Sequence, residues 1–510
     1  MNSFPWLTIL IALPLAGAVA SVALPALARQ LGLAFSGAAL VVAAVLVGRF
    51  DTGGGVQFSE QHTWIKPFGV HYALGLDGLG LLMVALTAVL VPIVLVASWR
   101  DAEADGEHRV PVFVGWTLAL EAASLAVFAA TDVFLFYVVF EATLIPAYFL
   151  IGGFGRAGRS RAAVKFLIYQ LAGGLVMLAS VIGLYVVSAR AGTPTYLLGD
   201  LSQLAIDPIT QRWLFLGFFV AFAIKAPMFP VHTWLADTTA KATTGTSVLL
   251  VCILDKIGTF GMLRFCLGLF PDASQWATPV VVVLALVSIV YGALVAIGQD
   301  DVLRLIGLTS LSHFGFIVLG IFVLNSQGGA GAILYMVNHG IGTAALFLLA
   351  GYMIRRSGTT QISQMRGIEK VTPVLAGLFL VAGLAAAGLP GLAPFVSELL
   401  VLISAFQHAW WAGAVAVSAI VLAAIYMLWL YQRTFTGPTP TEVEAYADLG
   451  GREVGTVAPL LLALVLFGFF PMPLLNVINP YVESTLTHVG VTDEAPTVPA
   501  TDAAAEGGQE

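Results

Sequence analysis

The chain has 510 residues, of which 59% are hydrophobic and 10% charged, and its formal net charge is −7. Soluble domains carry about 25% charged residues, so this composition excludes a soluble globular protein and indicates that lipid surrounds most of the chain. The sequence has no basic stripe and no zinc-finger spacing. Nucleic acid is therefore not expected as a partner.

Apolar runs long enough to cross a bilayer recur along the whole chain and predict an all-α polytopic membrane protein with about fourteen transmembrane helices. In chain order these runs are 4–27, 31–48, 78–98, 112–130, 133–154, 162–189, 213–235, 244–268, 277–298, 303–324, 330–354, 373–406, 409–432 and 454–477. The tail from Val491 is rich in Ala, Glu, Asp, Thr and Pro, which predicts disorder over 491–510.

The basic residues predict the orientation of these helices. Fifteen of the 22 Lys and Arg residues lie in or beside the odd-numbered loops and five in the even-numbered loops. Because cytoplasmic loops carry the excess of Lys and Arg, both termini of this multi-pass protein are predicted outside. The remaining two, Lys225 and Lys256, lie inside apolar runs.

The spacing of helices four to eight recurs in helices nine to thirteen. Pro227 and Pro230 interrupt the seventh run, and Pro390 and Pro394 interrupt the twelfth. A second unit of five helices must enter the membrane from the opposite side, which predicts two inverted five-helix repeats containing broken helices. The alternative is two sets of helical hairpins that resemble each other by coincidence.

This organisation divides the chain into five parts. The predicted parts are N-terminal helices 1–3 (1–110), the first repeat (111–270), the second, inverted repeat (271–435), helix 14 with its flanks (436–490) and the tail (491–510).

Each proline in a helix removes a backbone N–H that would otherwise bond to the carbonyl four residues earlier. The carbonyls of Ala223 and Ala386 are therefore expected to need other donors at membrane depth.

Ionisable side chains within the apolar runs are the candidate functional residues. They are Glu121, Glu141, Lys225, Lys256, His313, His339 and Glu398. A single unpaired charge at the bilayer centre costs at least about 2.5–3.5 kcal/mol, so these groups must be paired, neutralised or hydrated. Each of these solutions describes a polar path through the protein.

The residue types suit proton transfer. A buried lysine loses proton affinity through desolvation and regains it when a carboxylate approaches, and neutral histidine can relay a proton. Alternatives stay open: Glu141 and Lys225 could form a static structural pair, and His313 and His339 could be satisfied core histidines. Glu121 could equally have a purely structural role.

Several site classes are missing from the sequence. It contains no Walker loop and no dinucleotide fingerprint in a βαβ unit. Cys252 and Cys266 share one apolar run and are expected to pack in the core, without a metal ligand set around them. The chain is therefore expected to hold neither a cofactor nor a metal and to depend on another source of energy.

Four motifs carry a family resemblance. They are 140–146 (FEATLIP), 225–237 (KAPMFPVHTWLAD), 304–315 (RLIGLTSLSHFG) and 389–398 (LPGLAPFVSE). In combination they resemble the antiporter-like membrane subunits of respiratory complex I, over about helices three to thirteen. Within this family the chain is most similar to the M-type members, which carry glutamate at the position of Glu398 where the other two types carry lysine. His232, in the second motif, is a further candidate site residue.

The resemblance implies a proton-translocating subunit of an NADH:quinone oxidoreductase. It implies that Glu141 tunes Lys225, that protons pass Lys256 and His313, and that Glu398 is the terminal site. It also implies L-type and N-type antiporter-like neighbours, and NADH, FMN, iron–sulfur clusters and a quinone held by other subunits. No redox chemistry is expected in this chain itself.

The chain departs from the family pattern at two places. Ala242-Thr243-Thr244 lacks the proline of the usual Ala-Pro-Thr sequence, and Asp255 stands where the family has an apolar residue. Asp255 leaves the resting charge of the neighbouring Lys256 open. Alternative functions are a subunit of a Mrp-type cation/proton antiporter or of a membrane-bound hydrogenase, a stand-alone secondary transporter, and a membrane scaffold without a transport role.

Overall fold

The computed structural model describes residues 4–100, 106–192 and 194–493. The predicted disorder of the tail falls almost entirely outside these residues. The first half of the chain forms α1 Trp6–Ala23, α2 Ala28–Arg49, β1 Gln57–Ile65, β2 Val70–Leu76, α3 Gly78–Ala97, α4 Val110–Ala129, α5 Val133–Ala142, α6 Leu144–Phe154, α7 Arg159–Arg190, α8 Leu198–Leu201, α9 Pro208–Lys225 and α10 Thr233–Lys241.

The second half is helical throughout its regular segments. It forms α11 Thr244–Leu249, α12 Lys256–Gly261, α13 Pro271–Ile297, α14 Val302–Phe322, α15 Ser326–Ser357, α16 Pro373–Ala386, α17 Ala393–His408, α18 Trp410–Phe435, α19 Gly451–Phe469 and α20 Met472–Val489. Two π-helical turns, Leu250–Leu254 and Met262–Leu267, join α11 and α12 into one longer span, Thr244–Leu267.

The predicted fold class is confirmed. Among the described residues, twelve helices are long and apolar enough to cross a membrane. The predicted seventh span occurs as two shorter helices, α9 and α10, and the twelfth as α16 and α17. This arrangement is compatible with fourteen spans, and that count stays a prediction.

The break in the predicted seventh span lies between Lys225 and Thr233. The carbonyl of Ala223, which Pro227 deprives of its usual donor, accepts a hydrogen bond from the Met228 N–H (N···O 3.0 Å). The Trp234 indole N–H donates to the Ile224 carbonyl (3.0 Å). Donors within the protein therefore bond to the free carbonyl groups at the end of α9, at membrane depth.

The break in the predicted twelfth span lies between Ala386 and Ala393. Gly388 adopts φ +72°, a left-handed conformation that glycine adopts without steric cost. A Cβ atom at Gly388 would collide with the carboxylate of Glu398. The side-chain amide of Asn338 donates to the Ala393 carbonyl (2.8 Å), so α15 satisfies part of this break.

Paired features of the two halves support the predicted inverted repeat. The helices α7 and α15 each have 32 residues. Asp132 caps the N-terminus of α5 and bridges to Leu197 in the link before α9, while Asp301 caps α14 and bridges to Gln361 in the link before α16. The superposition of the two units and the predicted domain boundaries stay predictions.

Two elements were not predicted from the sequence. One is the antiparallel hairpin β1–β2, whose Glu60 carboxylate accepts from the Leu7 N–H (2.7 Å) and the Thr8 hydroxyl (2.5 Å) at the start of α1. The other is α20, because the predicted final run 454–477 ends as a span at Phe469 and a separate amphipathic helix follows.

Three membrane spans form the centre of the molecule. Thr244–Leu267, Val302–Phe322 and Ser326–Ser357 are buried on all sides within the protein, whereas α1, α2 and α19 are largely exposed. A helix that is apolar all round and fully enclosed belongs to the core. These central spans carry Lys256, His313 and His339, so the candidate residues lie away from lipid.

Candidate functional site

Lys225 is the last residue of α9 and is fully buried. Its Nζ donates to the Thr143 hydroxyl (3.2 Å) and lies 4.7 Å from the centre of the Phe140 ring. A cation at a helix C-terminus is stabilised by the helix dipole, and an aromatic face adds a cation–π attraction. Its position thus offers a cation several weak partners without a fixed ion pair.

Glu141 lies beside Lys225 but does not form an ion pair with it. The two groups interact electrostatically, yet the buried Oε1 of Glu141 has no hydrogen-bond donor. Gly174 on α7 makes room for this carboxylate, because a Cβ atom there would overlap it. The two side chains thus lie in one region, with the Thr143 hydroxyl as the direct partner of the lysine.

Lys256 follows the first π-helical turn. The Asp255 N–H bonds to the Leu250 carbonyl (2.9 Å), five residues earlier, which leaves the Val251 carbonyl to accept from the Lys256 Nζ (2.9 Å). The Nζ also lies 2.6 Å from the Nδ1 atom of His339. Isolated π turns occur frequently at functional sites, and here the turn directs Lys256 towards α15.

His339 begins a continuous row of polar side chains. The His339 and His313 rings are 5.2 Å apart, and the His313 and Tyr335 rings are 5.9 Å apart. The Tyr335 hydroxyl donates to the Glu398 Oε1 (2.5 Å), and the Tyr426 hydroxyl lies 3.4 Å from the His313 Nε2. Lys256 and Glu398 are therefore joined by side chains that can each donate or accept a proton.

The broken twelfth span opens directly onto this row. His313 approaches the carbonyl of Ala386, the group that Pro390 deprives of its helical donor. His313, Tyr335, His339 and Ala386 line a common cavity of about 10 Å³. That volume is at the lower limit of what one water molecule needs, and the surface facing it is mainly apolar.

Two candidates lie apart from the row. Glu121 on α4 is buried, and both of its carboxylate oxygens are without partners among the described residues. His232 precedes α10 and packs against the Phe229 and Tyr291 rings (5.8 and 5.2 Å between centres), with its Nδ1 unpartnered. Neither contacts Lys225 or Lys256 in the described part of the chain.

Three residues of the site were missed by sequence reasoning. Tyr335 lies four residues before His339 and therefore on the same face of α15, a spacing that could have indicated it. Thr143 lies three residues after Phe140, and both contact Lys225. Tyr426 is 113 residues from His313, and no local signal connects them.

The fold and the site together define a class of protein. Many apolar spans, two broken helices and a buried row of titratable groups are the features of a membrane protein that moves ions through its interior. The family described as NADH:quinone oxidoreductase/Mrp antiporter, TM matches residues 130–423.

Comparison with individual proteins narrows this class. Subunit M of the NADH-quinone oxidoreductase of Mycobacterium tuberculosis (strain H37Rv) is 49% identical to this chain, over 98% of this chain and 97% of its own length. A chain of respiratory complex I from Thermus thermophilus with bound NADH superposes with a TM-score of 0.87 at 33% identity, over 95% of this chain and 100% of that chain. This chain therefore belongs to the NADH-quinone oxidoreductase subunit M family, and the predicted resemblance is confirmed.

A chain of the Mrp complex from Dietzia sp. DQ12-45-1b shares the fold. Its TM-score is 0.85 at 23% identity, over 96% of this chain and 100% of that chain. This likeness concerns the architecture alone.

Proposed function

We propose that this chain is the proton-translocating M subunit of an NADH:quinone oxidoreductase. In this proposal Glu141, Lys225, Lys256 and the row of side chains from His339 to Glu398 carry the protons. One observation supports the path above all: Lys256 contacts His339, ring-to-ring distances of 5.2 and 5.9 Å lead through His313 to Tyr335, and Tyr335 bonds to Glu398. The 49% identity to a subunit M favours the oxidoreductase over a Mrp-type antiporter.

Proton loading occurs at Lys225 in this proposal. The ammonium group rests between the Thr143 hydroxyl and the Phe140 ring, close to the Glu141 carboxylate. A shift that brings Glu141 nearer favours the protonated lysine, and a shift that separates them favours release of the proton. The break after Lys225 gives α9 a point at which such a shift can occur.

The next transfer takes place within the central spans. Lys256 and the His339 Nδ1 share one proton across 2.6 Å, because two cations at that distance would repel each other. The proton passes from His339 to His313 across the small cavity that both rings line. Tyr335 then donates its hydroxyl proton to Glu398 and is reprotonated from the histidine side.

Glu398 is the output site in this proposal. It lies on α17, beyond the break, in the half of the span predicted to face outside. A cavity of about 230 Å³ adjoins the same end of α15 and α17, lined in part by Gln327 and Leu400. Glu398 does not itself line this cavity, which lies near the predicted outer end of the span.

The other functions of the complex belong to sister subunits. We propose that NADH, FMN, iron–sulfur clusters and a quinone are bound there, and that L-type and N-type antiporter-like subunits flank this chain. The complex lies in the bacterial cell membrane with both termini of this chain outside. The chain thus couples quinone reduction elsewhere to proton movement through its own interior.

Replacing Lys256 tests the proposed path. Lys256→Ala in the assembled complex is expected to lower NADH-driven proton pumping by about tenfold or more, because a positioned proton donor typically contributes 10²–10⁴ in rate. Pumping is measured in inside-out membrane vesicles by quenching of a pH-sensitive dye, at equal NADH:ferricyanide activity. Lys241→Ala, at an exposed lysine, is the control. Full pumping by Lys256→Ala would contradict the proposal.

Cysteine labelling tests the orientation. Cysteines introduced at Asn2 and Glu510 are expected to react with a membrane-impermeant maleimide added to whole spheroplasts, because the loop bias places both termini outside. Lys241→Cys, in a loop predicted to be cytoplasmic, should react only after lysis. The native Cys252 and Cys266 are buried and give little background. Labelling of both termini only after lysis would reverse the topology.

A further inference from the structure

Asp255 is a buried carboxyl group without a hydrogen-bond partner. Its side chain is fully enclosed, and neither Oδ1 nor Oδ2 has a donor. Buried polar groups in native proteins are almost always hydrogen-bonded, so an orphaned carboxyl group at the centre of the molecule requires an explanation. It lies at the end of the first π turn, immediately before Lys256.

Asp255 lies next to the step of the proposed proton path that lacks a described hydrogen bond, the step from Lys225 to Lys256. Contacts connect Lys256 to Glu398, but no described hydrogen bond connects Lys225 to Lys256. Asp255 interacts electrostatically with both of these lysines. Among the described residues, Asp255 is therefore the one carboxyl group that interacts electrostatically with both lysines.

The helix geometry indicates which side of the span carries Asp255. Consecutive helical residues point about 100° apart, so Asp255 lies on a different side of the span from Lys256, whose Nζ meets His339. Gly258, one turn later on the Asp255 side, abuts the backbone of Phe222 and Ala226 so closely that a Cβ atom would overlap it. This face of the span therefore packs against the end of α9, where Lys225 lies.

We propose that Asp255 is a proton-carrying residue that links Lys225 to Lys256. The inference rests on the proposed function of the row. When the Lys225 ammonium and the Asp255 carboxylate come within hydrogen-bond reach, directly or through one water molecule, the ammonium gives up its proton, which leaves a neutral amine and a carboxylic acid. The acid then gives the proton to the neutral Lys256 amine and returns to the carboxylate, so each transfer conserves charge and atoms.

A static counter-ion is the competing explanation. A fixed ion pair would hold a lysine nitrogen within about 4 Å of a carboxylate oxygen, because that contact is what offsets the cost of burying both charges. The Nζ of Lys225 bonds to Thr143 instead, and the Nζ of Lys256 bonds to Val251 and His339. Neither lysine therefore holds the Asp255 carboxyl group in a fixed ion pair within the described residues.

The test uses the assembled complex in inside-out membrane vesicles. Asp255→Asn keeps the size and polarity of the side chain but cannot carry a proton, and Asp255→Glu keeps the carboxyl group. We expect Asp255→Asn to lower the initial rate of NADH-driven pumping about tenfold and Asp255→Glu to retain most of it. Cys266→Ala, at another fully buried position of the same span, controls for packing. NADH:ferricyanide activity reports assembly.

Each outcome bears on one of the two proposals. Normal pumping by Asp255→Asn, with Lys225→Ala and Lys256→Ala inactive, would overturn the role of Asp255 and leave the proposed function intact. Normal pumping by all three variants would instead overturn the proposed function. If Asp255→Asn and Asp255→Glu fail equally while Cys266→Ala works, the group is needed for its exact fit, and proton carrying is refuted.

Discussion

Substituting Lys225 by arginine is expected to abolish most NADH-driven proton pumping, with a loss of about tenfold or more at normal assembly. Arginine keeps the positive charge but does not deprotonate in proteins, so it can occupy the site and still not release a proton. Its larger guanidinium group must also fit the enclosed space beside Phe140 and Thr143. The rate is measured by dye quenching in inside-out vesicles.

A matched control separates this effect from the cost of any Lys→Arg change. Lys165→Arg alters a partly exposed ion pair, in which the Lys165 Nζ lies 2.6 Å from the Asp237 Oδ2, and pumping should remain normal. Lys225→Ala is expected to fail as Lys225→Arg does. Retained pumping by Lys225→Arg would mean that a permanent charge is enough and that Lys225 has a structural role.

Substituting Glu398 by glutamine is expected to stop proton release while the complex still assembles. The amide oxygen of glutamine can accept the Tyr335 hydroxyl, whose bond to the Glu398 Oε1 is 2.5 Å, so the local packing should survive. Glutamine cannot take up a proton, however, and the row then has no terminal acceptor. We expect pumping to fall about tenfold or more at equal NADH:ferricyanide activity.

Two further variants sharpen the test of Glu398. Tyr335→Phe leaves the carboxylate in place but removes the hydroxyl that passes the proton to it, so a loss of pumping comparable to that of Glu398→Gln is expected. Glu444→Gln changes an exposed carboxylate and should leave pumping unchanged. Normal coupled turnover by Glu398→Gln would remove this residue from the path.

The sequence by itself determined the membrane character, the broken helices and most of the candidate residues. These features depend on local properties, since a run of about 20 apolar residues can cross a bilayer and each buried charge has a cost. Lys225, Lys256 and Glu398 could be recognised for that reason as soon as they were located in apolar runs. The loop charges indicated an orientation by the same kind of local argument.

Only the tertiary structure decided which groups meet. The Nζ of Lys256 lies beside His339, 83 residues away, and Tyr335 bonds to Glu398 across 63 residues. No spacing in the sequence specifies such pairs, because they depend on how neighbouring helices are rotated and packed. Packing also gave Lys225 the Thr143 hydroxyl in place of a direct ion pair with Glu141.

The difference between local sequence and tertiary packing also explains the positions of Glu121, His232 and Asp255. Glu121 and His232 share the residue types of the row, yet packing leaves them apart from it. Asp255 had been marked as a departure from the family pattern, and its position between two lysines emerged only when the π turn and the break after Lys225 were seen together. The cost of burying a charge is readable from the sequence, whereas the partners that offset the cost are fixed by the fold.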